Sequence, residues 1–165
     1  MLIRGVKIAF VAFVGVFGLL TGADNIIDYP LNFEAVRHVL AMDTIHRPSP
    51  LMARAITSPE LQHIAYWIII AAELLYGALC LFGALRLCFS WRNNDNSFNA
   101  AKSLATLGLA LGFALYFFGF LIIAGEWFQM WQSPQWNAQA SAFRCLASFA
   151  IILIILHLPE PERDR

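Results

Sequence analysis

One acidic side chain lies in the middle of a long apolar run. Glu73 follows Ile64 by nine positions within the run that extends to Phe89. At about 1.5 Å per helical residue, it would lie roughly 13 Å along a helix, near the middle of a membrane. Because an ionisable group at that depth is costly, it is by default a candidate functional group with a partner. Glu73 can therefore bind a ligand or a proton, or it can be half of a buried structural pair.

The sequence offers several partners for Glu73. Asn25 ends a stripe of small residues in the first apolar run, and Arg144 and Ser148 lie near the start of the last one. Whether Glu73 is neutral, or ionised and paired with Arg144, stays open. Asp28 lies near the C-terminal end of the first predicted helix, where the helix dipole disfavours negative charge, so a basic side chain or a cation is expected beside it. We group five residues as an interior polar cluster with ligand-binding potential: Asn25, Asp28, Glu73, Glu126 and Arg144.

The stretch GEWFQMWQS, residues 125–133, ends the third apolar run with a carboxylate and large aromatic rings. Glu126 continues a stripe with spacings of four and three residues, which comprises Gly108, Gly112, Leu115, Gly119 and Ile122. Such a stripe of small residues predicts a helix face that packs inward. An aromatic surface is expected at the lipid headgroup level, and it comprises Trp127, Phe128, Met130, Trp131 and Trp136.

No catalytic or metal motif is evident. His38, Asp43 and His63 are the weak metal candidates, but their spacing matches no compact ligand set, so no metal site is predicted. The three cysteines include no CxxC pair, which argues against a membrane thiol oxidoreductase. The sequence leaves the cofactor unknown and the question of an enzyme open, and it favours a non-enzymatic protein.

Composition predicts an all-α polytopic membrane protein. Hydrophobic residues make up 59% of the 165 and charged residues only 13%. About 20 mostly apolar residues cross a bilayer as a helix, and four runs approach that length: 8–27, 64–89, 104–124 and 142–158. We predict a single membrane domain, residues 1–165, folded as an antiparallel bundle of four transmembrane helices.

The long first connection should be structured. LNFEAVRHVLAM places apolar residues on one face and predicts a short interfacial helix, and HRPSPL should be extended because residues before proline avoid the helical region. Ser58 followed by Pro59 predicts that the second long helix begins before its apolar run. The WRNNDNSFN connection is expected to be a polar turn, and the PEPERDR tail to be disordered.

Orientation follows from the basic residues near the ends of the runs. Seven of the eleven Lys and Arg residues fall on the side of the two termini, and four fall on the other side. The distribution predicts a multi-pass protein with both termini in the cytoplasm and with the first and third connections outside. Formal net charge is zero and no basic cluster is present, so no nucleic-acid partner is expected.

Several motifs also resemble a known family. They are NxxDY at Asn25 to Tyr29, NFxxVxHVLxMD at Asn32 to Asp43, Glu73, and GEWFxMWxS with the later AFR at Ala142 to Arg144. Together they are similar to the bacterial "predicted small integral membrane protein" family, a domain of unknown function. The resemblance covers nearly the whole chain. It implies a four-span inner-membrane protein without an established activity, so no residue role is transferred.

Two functional hypotheses follow. In the first, the protein is an accessory subunit or interaction module whose outer aromatic and polar surface contacts membrane lipid, a membrane-protein partner or a second copy of the chain. In the second, it binds or carries a small ligand in the outer half of the bundle, and this ligand is quinone-like, lipid-like or cationic. Glu73 separates the two, because only the second hypothesis needs its carboxyl group to face a site.

Overall fold

Four helices are long and apolar enough to cross a membrane in the computed structural model, which describes residues 1–159. They are α1 (Leu2–Ile27), α3 (Pro59–Phe89), the continuous helix Asp95–Trp127 and α6 (Gln139–His157). No strand is present in the described part of the chain. The fold is therefore the all-α, four-span architecture that the apolar runs predict, while the PEPERDR tail beyond Pro159 lies outside the described residues.

Local sequence sets the helix boundaries. α3 begins with the predicted cap, because the Ser58 side chain accepts a hydrogen bond from the Leu61 amide and Pro59 occupies the first turn. Pro30 lies in the first turn of α2 (Tyr29–Ala41), so it begins a helix rather than only ending α1. The WRNNDNSFN connection is more ordered than the predicted turn, since Asn94 caps the short helix α4 (Asp95–Ala101) through the Ser97 amide.

Close helix packing explains the glycine stripes of the first half of the chain. A Cβ atom on Gly77 of α3 would lie 2.8 Å from the Leu19 amide nitrogen of α1, and one on Gly15 would lie 2.9 Å from the Leu81 nitrogen. The pairing of early α1 residues with late α3 residues makes the two helices antiparallel. Only residues without a side chain permit backbones to approach this closely, which is how helices pack when lipid removes the hydrophobic driving force.

The third long helix changes its winding halfway. It begins with α4, continues as the α-helix α5 (Ser103–Ala114) and ends as a π-helix, Leu115–Trp127, that we call the π segment. The π segment ends with a hydrogen bond from the Phe128 amide to the Ile123 carbonyl, five residues back. Because a π turn contains more residues than an α turn, side chains beyond Gly112 rotate away from the face that an α-helix predicts.

The predicted inward stripe is therefore wrong beyond Gly112. Gly108 and Gly112 are buried as expected, but Ile122 and Glu126 are exposed, and the buried residues of the π segment are Tyr116 and Gly125. Leu115 and Gly119 are only partly buried. Glu126 does not cap an interior face.

The connection between α1 and α3 forms a second small core. α2 and the 3-10 helix Pro50–Arg54 cover one end of the bundle, which we call the loop face; it also contains residues 128–138. The core under them contains Val39, Leu40, Met42, Ile45, Phe128 and Met130. Ser49 is extended before Pro50, as its sequence position predicts, and the 3-10 turn then follows directly. The predicted structured connection is thus observed.

The opposite end, which we call the terminal face, contains Met1, the 90–94 connection and the end of α6. Arg4 is 3% exposed there and donates hydrogen bonds to the Trp91 and Asn93 carbonyls and to Asp95 at 2.5 Å. Lys7 donates to the Leu158 carbonyl at 2.6 Å. These bonds join the start of α1 to the second connection and to the end of α6, because buried cations require such partners.

Candidate functional site

The Glu73 carboxyl group lies inside the bundle against the last turn of α1. The residue is 5% exposed, and the Asn25 side-chain amide donates a hydrogen bond to Glu73 Oε2 at 2.7 Å. Of the candidate partners that the sequence offers, Asn25 is thus the one that forms a hydrogen bond with Glu73. Arg144 instead donates to Ser141 Oγ at 2.8 Å, on its own helix.

A chain of polar contacts extends from Glu73 to α2. The Asn32 amide donates to Asn25 Oδ1 at 2.6 Å, and the Tyr66 hydroxyl donates to the Asn25 backbone carbonyl at 3.4 Å. That carbonyl belongs to the last turn of α1, where backbone oxygens have no partner within the helix. The network therefore fixes the orientation of the Asn25 amide, which in turn holds one carboxyl oxygen of Glu73.

A cavity of about 320 Å³ opens beside this network. Its walls come from α1, α2, α3, the π segment and the start of α6, and the lining residues are Thr21, Asp24, Asn25, Asn32, Ala35, Val36, Tyr66, Ile69, Glu73, Phe120 and Ala138. Two lining residues are acidic and none of these lining residues is basic. A cavity of this size is at the lower end of the range that holds small organic ligands.

One oxygen of Glu73 remains available in the cavity. Within the described residues, the hydrogen bond from Asn25 to Oε2 is the only one that the carboxyl group makes. Oε1 is also not among the enclosed polar atoms that lack a partner, and Glu73 lines the cavity. Oε1 is therefore accessible from the cavity and free to accept a hydrogen bond or to face a positive charge.

A buried hydroxyl lies one turn deeper. Tyr76 is 0% exposed, and its hydroxyl is the one enclosed side-chain oxygen or nitrogen in residues 1–159 without a hydrogen-bond partner. The Thr21 and Tyr116 hydroxyls are nearby but outside hydrogen-bonding geometry. An unsatisfied buried hydroxyl costs about 1–3 kcal/mol, and Tyr76 is not among the residues that line the Glu73 cavity.

The other predicted members of the interior cluster lie elsewhere. Asp28, Glu126 and Arg144 are all exposed. Neither Asp24 nor Asp28 forms an ion pair with a basic side chain in the described part of the chain, so the expected compensation of the α1 dipole by a protein cation is not seen. Of the five grouped residues, Asn25 and Glu73 are the two that form a hydrogen bond with each other.

The aromatic surface is smaller than the sequence predicts. Phe128 and Met130 are 5% and 3% exposed because they pack under α2, so they are core residues and not part of a surface. Trp136 is partly buried, and its ring stacks on His38 at 4.8 Å. Trp127 and Trp131 remain about half exposed, and the Arg54 guanidinium lies 4.4 Å from the Trp127 ring centre.

The weak metal candidates have protein partners in two separate places. His38 Nδ1 is 2.8 Å from Asp43 Oδ2, while His63 stacks on Phe33 at 4.1 Å and bonds the Tyr29 hydroxyl. No group of three or more His, Cys, Asp or Glu side chains within residues 1–159 is arranged to hold a metal.

Beside His38, α2 carries an exposed ion pair. Arg37 bonds Glu34 at 2.6 Å, and this hydrogen bond lowers the pKa of Glu34.

Sequence reasoning missed Asn32 and Thr21 as cavity residues. Asn32 belongs to the NFxxV motif of α2. Its amide could have been predicted to face the bundle, because it lies next to Phe33 on a helix expected to pack on the bundle. Thr21 carried no signal, since a threonine inside an apolar helix usually bonds its own backbone, as it does here to the Phe17 carbonyl at 3.0 Å.

Comparison with protein families places the chain beside a known family. A family model described as "predicted small integral membrane protein", domain of unknown function 2165, matches residues 3–159. No curated protein and no solved structure matches the chain.

Proposed function

The chain belongs to this family of predicted small integral membrane proteins, and we propose that its bundle binds a small organic cation, with Glu73 as the counter-ion. The observation that carries the proposal is the accessible Oε1 of a carboxyl group that is otherwise enclosed in the bundle. A buried carboxylate is unfavourable without a partner. A cation in the cavity would supply the positive charge that the described side chains do not place beside Glu73.

The lining of the cavity favours an organic cation over an anion. Asp24 adds a second carboxylate, and the amides of Asn25 and Asn32 can accept hydrogen bonds from an ammonium group. The Tyr66 and Phe120 rings provide aromatic surface that attracts cations. Apolar residues on the remaining wall, Ala35, Val36 and Ile69, suit a hydrocarbon part of the same ligand.

Two probes of equal shape and different charge test the proposal. Benzylammonium and benzyl alcohol should be titrated into the purified protein in lipid nanodiscs by calorimetry. A charge-assisted hydrogen bond contributes about 1.5–3 kcal/mol, so benzylammonium should bind roughly ten to a hundred times more tightly than the alcohol. Equal affinities of the two probes would contradict the proposal.

Glu73→Gln identifies the group responsible. The substitution keeps the shape and the acceptor for Asn25 but removes the charge, so the preference for benzylammonium should disappear. Glu60→Gln is the matched control, since Glu60 is an exposed carboxylate at the start of the same helix, bonded to Ser58. If Glu73→Gln prevents stable insertion, Glu73 is a structural residue, and the binding proposal fails.

A second proposal is that the protein is an accessory subunit that binds a partner through a smaller aromatic surface than the sequence predicts. The two half-exposed tryptophans Trp127 and Trp131, with Arg54 over the first ring, have the composition of a protein-binding hot spot.

Replacing both tryptophans by Ala should release a protein partner that native mass spectrometry detects after gentle extraction from the membrane of origin. Trp67→Ala is the control, because Trp67 is 50% exposed on the side of α3. Retention of every partner in the double variant would contradict this proposal.

The location in the membrane is also a proposal. We propose a bacterial inner-membrane protein with the terminal face in the cytoplasm. The distribution of Lys and Arg supports it, since Arg4, Lys7, Arg86, Arg92 and Lys102 all belong to the terminal face.

A further inference from the structure

A second groove, distinct from the Glu73 cavity, lies between α1 and α6. It has a volume of about 270 Å³ and is lined by Phe13, Val14 and Phe17 of α1 and by Arg144, Ser148 and Phe149 of α6. Aromatic rings form most of its walls, and Phe17 meets Phe149 edge to face with ring centres 6.5 Å apart. Phe13 is 66% exposed, so the groove is open on the side that would face lipid.

Arg144 is the only charged residue lining this groove, and it has no acidic partner within the described part of the chain. Its guanidinium bonds the neutral Ser141 hydroxyl, and no carboxylate within residues 1–159 forms an ion pair with it. A cation inside a membrane span normally pairs with an anion or reaches the headgroup layer. The groove is thus opposite in charge to the Glu73 cavity, which has two carboxylates and no basic lining residue.

The groove residues are ordered by depth in the membrane in the same way as the parts of a lipid molecule, with the charged group nearest the surface. Arg144 lies five residues after the start of α6, roughly 8 Å below the loop face at 1.5 Å per residue. Phe149 lies roughly 15 Å below it, and Phe13, fourteen residues before the end of α1, roughly 21 Å below it. The charge is therefore nearest the headgroup layer, and the apolar walls continue into the hydrocarbon core.

From this arrangement we propose that the groove binds one anionic phospholipid, with its phosphate on Arg144 and one acyl chain between α1 and α6. Arginine binds phosphate oxygens through two parallel hydrogen bonds, and Ser141 helps to orient the guanidinium. A zwitterionic headgroup would bring an ammonium group for which the groove offers no carboxylate. The proposal does not depend on the cation site, because the two sites share no lining residue.

Lipid retention measured by native mass spectrometry tests the proposal. The whole protein should be delipidated in detergent and titrated with phosphatidylglycerol or phosphatidylcholine that carry the same acyl chains. Wild-type protein should retain phosphatidylglycerol about fivefold more strongly, because both lipids present a phosphate to Arg144 but the choline ammonium of phosphatidylcholine repels the guanidinium by about 1 kcal/mol. Equal retention of the two lipids would overturn the proposal.

Three variants locate the site. Arg144→Gln should abolish the preference, while Arg54→Gln, which removes a loop-face cation beside Trp127, should keep it. Ser148→Leu fills the apolar part of the groove and should weaken both lipids. Should Arg144→Gln fail to insert, Ser148→Leu still decides, because unchanged retention in that variant would overturn the proposal.

A competition arm separates a lipid from a free anion. Inorganic phosphate at the concentration of the lipid should not displace phosphatidylglycerol, because the acyl chain contributes most of the buried surface. Displacement by phosphate alone would show a simple anion site and would overturn the lipid proposal.

Discussion

At the scale of single residues, Asn25 is the residue on which the Glu73 site depends. Its amide donates to Glu73, its side-chain oxygen accepts from Asn32, and its carbonyl accepts from Tyr66. A primary amide is one of the few side chains that donates and accepts at once. Asn25 therefore joins α1, α2 and α3 at a point where no apolar residue can replace it.

Asn25→Ala should lower the stability of the bundle by about 1–3 kcal/mol, because it leaves buried polar groups without partners. Unfolding in mixed micelles with increasing sodium dodecyl sulfate measures the effect. In a Glu73→Leu background the cost of Asn25→Ala should be smaller, since the carboxyl group that needs the amide is gone. Equal costs in the two backgrounds would show that Asn25 does not act through Glu73.

At the scale of helices, the glycines of α1 and α3 and the π segment determine which residues face inward. Glycines let α1 and α3 approach each other until a Cβ atom on Gly77 would collide with the α1 backbone. The π segment then rotates the second half of the third long helix, so that Tyr116 and Gly125 replace the stripe expected from an α-helix. Because π turns occur often at functional sites, the presence of the cavity residue Phe120 within this segment supports the proposed binding role.

Gly77→Ala should destabilise the α1–α3 pair by about 1–3 kcal/mol through overpacking, since the new Cβ atom would lie 2.8 Å from the Leu19 nitrogen. Gly119→Ala is the matched control, because its Cβ atom would meet only Leu115 at 3.7 Å. Alanine favours helices over glycine, so the control should be neutral or slightly stabilising. Thermal unfolding in detergent compares the variants, and equal losses in both would contradict the close-packing explanation.

At the scale of the whole molecule, the polar groups are arranged by depth and by sign. Buried cations close the terminal face through Arg4 and Lys7, while carboxylates and amides line the cavity near the loop face. Arg144 lies apart on the lipid side of α6, with no carboxylate of residues 1–159 paired to it. Two binding proposals with ligands of opposite charge can therefore be tested independently in one small bundle.

The distribution of basic residues predicts how the protein is oriented in the membrane. A C-terminal green fluorescent protein fusion should fluoresce and a C-terminal alkaline phosphatase fusion should be inactive, because basic connections stay in the cytoplasm. A reporter inserted after Pro48, in the loop face, should show the reverse pattern. Active phosphatase at the C-terminus would contradict the proposed orientation and would place the Glu73 cavity on the cytoplasmic side.

The amino-acid sequence alone predicts the four long helices, the start of α3 at Ser58 and Pro59, the structured connection and the inward face of α1. These features depend on composition and on periodicity within one element, which are local properties. It also identified Glu73 and named Asn25 among its partners. A single carboxylate in an apolar run is conspicuous without any knowledge of its neighbours.

Contacts between polar residues of different helices could not be predicted from the sequence. Asn25 contacts Glu73 while Arg144 does not pair with it, because helix rotation and packing, not spacing along the chain, select contacts between elements. The π segment moved Glu126 outward, since a change of helical winding has no periodic signature in an apolar run. Phe128 and Met130 became core residues because α2 folds over them, and burial by another element depends on the whole fold.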